Sequence, residues 1–355
     1  MDTSIGDRVA KLIPKGEQGR VAAAVGMQQD ALSRALRGQR GFGAAELMRI
    51  ADHFGEDLHY LIAGVPDPHR VQMVARHDYD QETGQRSVPG KDTDQPVLDD
   101  ILLAYRQAPP AGVVQGFPAD VEDVRARLGS GFVRAFVDRV EERLGIDVVR
   151  VGELSTAYSF LVEGRAVIAV PAVANWFWEN WSIAHEVGHL VLGHHADPVT
   201  HTRHEREAHA FAAELLMPAA VMRTWDWDEI TCGELASRVW ELGISTLALA
   251  NRLESLRIVS PLAAEWKAET TQKLLRHHWA AGEAGDPITR RMDEAAQRRF
   301  PVALQAAHLD LIARGEIGKG TLAWMLGVSV ESLEVEQPAA PEMSSSELLE
   351  ALDVR

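Results

Sequence analysis

With 355 residues, 46% of them hydrophobic and 25% charged, the chain has the composition of a soluble globular protein of two or three domains, and neither the disordered nor the membrane-spanning class fits. A net charge of −16 excludes an unspecific nucleic-acid coat but not a small, locally basic reading module. The single cysteine, Cys232, excludes an intramolecular disulfide, and neither the apolar core of a signal peptide nor an apolar run of about 18 residues is present, which predicts a cytoplasmic protein with no membrane partner.

Residues 1–64 show helical periodicity in four short runs, 8–13, 18–25, 27–36 and 44–54, with Gly26 as the turn between the second and third. That order predicts a helix-turn-helix domain. Its third helix would give Ala31, Leu32 and Ala35 to a core and turn Gln28, Gln29, Ser33, Arg34 and Arg37 outward. Gln pairs bidentately with adenine and Arg with guanine or phosphate, so the outward set suits the major groove of duplex DNA. Arg20, Arg34, Arg37 and Arg40 stand against Asp30 between positions 19 and 40, a modest local positive excess. The segment resembles the lambda-repressor-like (XRE) DNA-binding family in AAAVGMQQDALSRALRG and LMRIADHFG. The alternative is a helical bundle that contacts only protein, as a dimer or by holding the substrate of the downstream domain.

Residues 65–118 change character. Positions 77–96 and the stretch APPAGVVQGFP are rich in turn-forming residues and predict a flexible linker, with one short helix at 97–105. Residues 119–144 then carry Val121, Val124, Leu128, Phe132, Phe136, Val140 and Leu144 at helical spacing, with Gly145 as the stop. Three strand-like runs come next, at 147–151, 157–162 and 166–170, the last two joined by Glu163-Gly164-Arg165 as a hairpin. Strands succeeded by helices predict an α+β fold, with a small antiparallel sheet leading into the next helix.

That helix holds His185, Glu186 and His189 in an H-E-x-x-H pattern, which stacks two imidazoles one turn apart on one face. With 14 histidines in the chain, about 0.04 such matches arise by chance. Ile183, Ala184, Val187, Leu190, Val191 and Leu192 around them predict a buried helix, where a polar trio needs a reason. Zinc bound by two imidazoles needs a third protein ligand and one open position. In the next helix Glu205 shares a face with His209, whereas Glu207 is turned roughly 160–200° away. Glu205 is therefore the expected ligand, with Glu207 as the alternative. His194, His195, His201 and His204 lie in a Gly/Asp/Pro/Thr connection and read as solvated loop histidines. Trp176, Phe177, Trp178 and Trp181 do not share one face, so they divide between core packing and contact with substrate.

The stretches IAHEVGHLVLGH and EREAHAFAAELLMP resemble the ImmA/IrrE family of zinc metallopeptidases. The resemblance implies His185, His189 and Glu205 as zinc ligands, Glu186 as the catalytic carboxylate, and an edge strand on which substrate docks. His209 stands where the family usually has Asn, beside a ligand histidine; here it either supports the site or joins it. His209, His204 and Tyr158 are candidates to steady the oxyanion.

Beyond position 225, residues 226–260 repeat a helix-turn-helix layout that completes the peptidase, residues 261–337 are helical, and 338–355 form a flexible tail with a short helical possibility at 348–352. Three turns share one pattern: Val25-Gly26-Met27-Gln28, Leu242-Gly243-Ile244-Ser245 and Leu326-Gly327-Val328-Ser329. The third has few outward basic residues, so packing or dimerisation is its expected use. Together these features predict a DNA-binding, zinc-dependent endopeptidase acting in gene regulation, and the resemblance to the ImmA/IrrE family implies a repressor-like protein as its substrate. The alternative is a transcription regulator whose zinc domain senses and cleaves nothing.

Overall fold

A computed structural model describes residues 4–336, apart from 55, 66–71, 76–77, 80–85, 88–90, 112–115, 197–201 and 281–284. The chain divides into two compact units, 1–70 and 71–355. The predicted tail and its helix lie outside the described residues, as does His201.

The first unit is built from α1 (Ile5–Leu12), α2 (Gln18–Ala24), α3 (Gln29–Leu36), α4 (Ala44–Phe54) and α5 (Leu58–Ala63). The four expected helices are present; α5 is additional, started by Asp57, whose carboxylate accepts from the backbone N–H of His59. Val9, Val21, Leu32, Leu47, Ile50 and Leu61 form the core. Arg8 is buried because it ties α1 to the end of α5, donating to the carbonyls of Leu61 (3.0 Å) and Ile62 (2.8 Å). Gly26 takes the left-handed conformation, φ 64°, that lets α2 end and α3 begin within a few residues.

The second unit begins with strand β1 (Gln72–Ala75) and the short strands β2 (Asp78–Tyr79) and β3 (Arg86–Ser87). Then comes α6 (Lys91–Gln107), which is not linker. The helix is longer than the predicted segment because Asp94, fully buried, accepts from Ser155 and Tyr158, and Leu98, Ile101 and Tyr105 pack in a core. The predicted helix 119–144 is broken: α7 (Val121–Leu128) ends where Gly129 and Gly131 both adopt positive φ, and a tight turn at Phe132–Ala135 leads through α8 (Phe136–Arg139) and a wider helical turn at Val140–Leu144 to Gly145.

Strands β4 (Ile146–Val151), β5 (Tyr158–Val162) and β6 (Arg165–Pro171) occur where expected, and β5–β6 is an antiparallel hairpin. The sheet is mixed and not wholly antiparallel as expected, because β4 lies parallel to β6; β1 pairs antiparallel with β5, and the order is β1-β5-β6-β4. β5 is therefore not an edge: Val74 of β1 stands opposite Ser159, and β1 forms the edge on that side. Alternation assigns the two faces. Ile146, Val148, Ala166, Ile168 and Val170 face the core under α9 (Trp176–Val191), while Val149, Val151, Tyr158, Phe160, Val167 and Ala169 face a second core. That second face is closed by α6 together with α17 (Val302–Ala313) and α18 (Gly320–Leu326), through Leu304, Ile312, Leu322 and Met325.

Between these lie α10 (Thr202–Leu216), α11 (Ala219–Met222), α12 (Cys232–Leu242), α13 (Thr246–Ser255), α14 (Pro261–Trp266), α15 (Thr271–His278) and α16 (Pro287–Ala296). The Gly turns behave alike at their centres, with Gly243 at φ 60° and Gly327 at φ 67°. They differ on their C-terminal sides. Ser245 caps α13 by accepting from the backbone N–H of Ala248, but after Gly327 a turn at Ser329 replaces the second helix and leaves Leu326 and Val328 exposed.

Candidate metal centre

His185, Glu186 and His189 are 2%, 0% and 0% exposed. Burying three such groups is costly unless they meet partners. α9 is started by Asn175, whose side chain accepts from the backbone N–H of Trp178, and its fourth turn packs against α10 where Gly188 meets Phe211. That crossing brings the two imidazoles to Glu205. The Nε2 atoms of His185 and His189 are 3.1 Å apart, Glu205 Oε2 is 3.3 Å from the first, and Glu205 Oε1 is 3.5 Å from the second. Tetrahedral ligands about 2.0–2.1 Å from a zinc ion stand roughly 3.3–3.4 Å from one another, so the three donors have the spacing of one face of such a site.

The outer contacts explain how the rings are oriented. His189 Nδ1 lies 2.9 Å from His194 Nδ1, and His194 Nε2 lies 3.3 Å from Glu207 Oε2. With both rings neutral, one pair of tautomers satisfies both contacts: His194 donates from Nε2 to Glu207, and His189 donates from Nδ1 to His194. The lone pair of His189 Nε2 is then left facing His185 and Glu205. Support of this kind, from a carboxylate through an imidazole, is how metal-binding histidines are usually held. Glu207 thus lies on the outer side of His194 and also accepts from Arg203 at 2.7 Å, away from the three-donor face.

Burial pushes His185 down to about 4, and His194 and His195 likewise to about 4. Burial also opposes the charge of Glu205, yet the imidazoles of His185 and His189 hold its carboxyl well below the usual carboxylate range. Burial works to lower His189 too, but the carboxylates of Glu205 and Glu186 outweigh it and raise the ring. A neutral His185 beside an ionised Glu205 suits a divalent cation, which would take the place of the proton that the two carboxylates favour on His189.

One oxygen of Glu186 is held from the sheet. Ser159 Oγ donates to its Oε2 at 2.5 Å, and His195 Nε2 donates to the Ser159 carbonyl at 3.1 Å. Ser159 is absent from the residues that the sequence pattern singles out; its signal is a lone hydroxyl in the apolar run of β5, on the face toward α9. The expectation for the loop histidines is overturned for His194 and His195, which are 5% and 8% exposed. His204 stacks on His194 with ring centres 4.1 Å apart and planes 10° apart. Although His194, His204 and Glu207 gather within 4.8 Å, parallel stacked rings aim their lone pairs side by side, so this cluster supports the site and does not form a second one. His209 sits against His185, ring centres 4.5 Å apart, and offers a ligand atom within 4.8 Å of those of His185 and Glu205. Tyr158 is turned away, its hydroxyl donating to Asp94 at 2.7 Å. Trp176 and Phe177 are buried, and Trp178 and Trp181 are half-buried.

Of the residues expected to read DNA, Gln28, Gln29, Arg34 and Arg37 are exposed and Ser33 is half-buried; Arg34 pairs with Asp30 at 3.2 Å, and Arg37 donates to the Ser33 carbonyl at 3.2 Å.

Two imidazoles and a carboxylate on one helix, a facing carboxylate on the next and a strand beneath define a metallopeptidase-like domain. Residues 141–254 match the family model described as the IrrE N-terminal-like domain, a peptidase family, which supports the peptidase part of the resemblance. No curated protein and no solved structure matches the chain. No described helix is long and apolar enough to cross a membrane.

Proposed function

We propose that the second unit is a zinc-dependent endopeptidase with a repressor-like protein as substrate, and that the first unit reads duplex DNA. The observation that carries the peptidase reading is the division of labour on α9: His185 and His189 turn to Glu205, while Glu186 turns to Ser159. Zinc held by His185, His189 and Glu205 supplies, when bound, polarisation of the scissile carbonyl and a water acidified toward neutral pH. Ser159 holds one oxygen of Glu186, so the carboxylate is oriented before substrate arrives. Glu186 takes the proton of the attacking water and passes it to the leaving amine nitrogen. Support for the DNA reading is the order of α2, Gly26 and α3 and the exposure of Gln28, Gln29, Arg34 and Arg37.

Glu186→Gln tests the reading. It keeps the shape and the Ser159 contact but removes the base, so cleavage of a repressor-like substrate protein should fall by on the order of 10² to 10⁴ while zinc content and melting temperature hold. If the parent cleaves no such protein and the variant regulates transcription normally, the domain is a zinc sensor and not an enzyme.

A further inference from the structure

The faces that carry the metal donors continue past them in one direction. One turn back along α9 from His185 is Trp181, and before it Trp178 and Phe177; one turn forward along α10 from Glu205 is His209, then Ala213 and Met217. Trp181 and His209 meet with ring centres 6.2 Å apart, so the two faces stay side by side. Together they wall a cavity of about 1110 Å³, closed on its far side by the start of α13 and by residues 267–272. His209 therefore has two neighbours: His185 at the metal centre and the cavity it lines.

The charges around this cavity decide what it takes. Arg252 is committed to Glu214 and to the carbonyl of Met217; Lys267 is paired with Glu254 at 2.8 Å, and Glu269 with Lys273 at 2.8 Å. Each charged Arg, Lys or Glu of the lining is thus already compensated, while Phe177, Trp178 and Trp181 supply aromatic surface. A charged group entering would lose water and find no uncompensated charge to pair with, whereas an apolar one gains the aromatic walls.

We propose that this cavity is a specificity pocket of the metal centre, receiving large uncharged side chains, aromatic or branched aliphatic, from the peptide segment next to the scissile bond. Its volume exceeds the usual range for a single small ligand and suits more than one residue of an extended peptide. The proposal rests on the peptidase reading above, and its test needs no turnover.

The probes are acetohydroxamate and two amino-acid hydroxamates, one with a methyl and one with a benzyl side chain, titrated calorimetrically into zinc-loaded full-length protein. The benzyl compound should bind about 10- to 100-fold tighter than the methyl compound, as expected for burying an aromatic side chain. Ala213→Trp, filling the pocket from α10, should reduce that ratio to below about threefold. Leu247→Trp, on the exposed opposite wall, should reduce it too and guards against a misfolded first variant. Because the ratio is internal to each protein, a general loss of metal weakens both compounds alike. Equal affinities in the parent, or a preference that survives both substitutions, overturn the pocket while leaving the metal centre standing. Failure of acetohydroxamate itself to bind zinc-loaded protein overturns the metal-centre reading, and the pocket falls with it.

Discussion

The two units of this chain put their polar residues in opposite places. In the second, His185, Glu186 and His189 lie at 0–2% exposure, and the contacts they make are with donors, acceptors or facing ligands. In the first, Gln28, Gln29, Arg34 and Arg37 stand in solvent. Burial makes polar groups expensive, so a buried constellation restricts its own interpretation, whereas exposed groups cost nothing and take their meaning from a partner. The candidate metal site is consequently a matter of internal geometry, and the proposed DNA surface a matter of binding.

The largest effects should come from the buried side. Glu205→Ala should lower zinc affinity by more than about 100-fold, because it deletes a donor, while Glu207→Ala and His194→Ala should each lower it by about 10- to 100-fold, because they release the ring of His189. Competition with a chromogenic chelator measures all three; a Glu207 variant worse than the Glu205 variant would reverse their positions.

The Gly turns compare the units directly. A Cβ at Gly243 would come within 2.1 Å of Val133 Cγ1 and 2.6 Å of Asn180 Nδ2, whereas the nearest atom to one at Gly26 is Arg49 Nε at 3.9 Å. Both positions are left-handed, so Gly26→Ala should cost about 1–2 kcal/mol, and Gly243→Ala about 3 kcal/mol or more. Denaturant melts giving equal losses would show that the second turn can yield.

Acid should act on the second unit. His185, His194 and His195 are held to about 4 against 6.5, chiefly by burial. Their folded values lie below their unfolded ones, so unfolding takes up protons between those limits; the stability is complete above 6.5 and is lost as pH falls toward 4. Metal-free protein should show its melting temperature dropping across that window, and a flat profile would contradict the burial of these rings.

The exposed side is tested by specificity, not by stability or metal retention. Gln29→Ala in the full chain should remove about 1–3 kcal/mol of discrimination between preferred and unrelated duplexes, with little loss of salt-dependent total affinity. A selection experiment that enriches no sequence would assign the first unit to protein contacts.

By itself the sequence determined what depends on neighbours along the chain. The two-imidazole helix arises from a spacing of four, the three left-handed turns from Gly between apolar positions, and the β5–β6 hairpin from Glu163-Gly164-Arg165, because helix and turn geometry repeat over a few residues. The break at Gly129 and Gly131 is equally local but is hidden by the apolar period running through it. Tertiary structure decided the rest. The meeting of Glu205, already favoured over Glu207 by its helix face, with His185 and His189, the burial of His194 and its link to Glu207, and the hold of Ser159 on Glu186 all depend on how α9 crosses α10 and lies on the sheet. The covering of the second sheet face by α6, α17 and α18 joins residues about two hundred positions apart, as in the contact of His308 with the Ala104 carbonyl. No periodicity reports such pairings, because the hydrophobic effect that drives them is non-directional and their geometry emerges only when the layers pack.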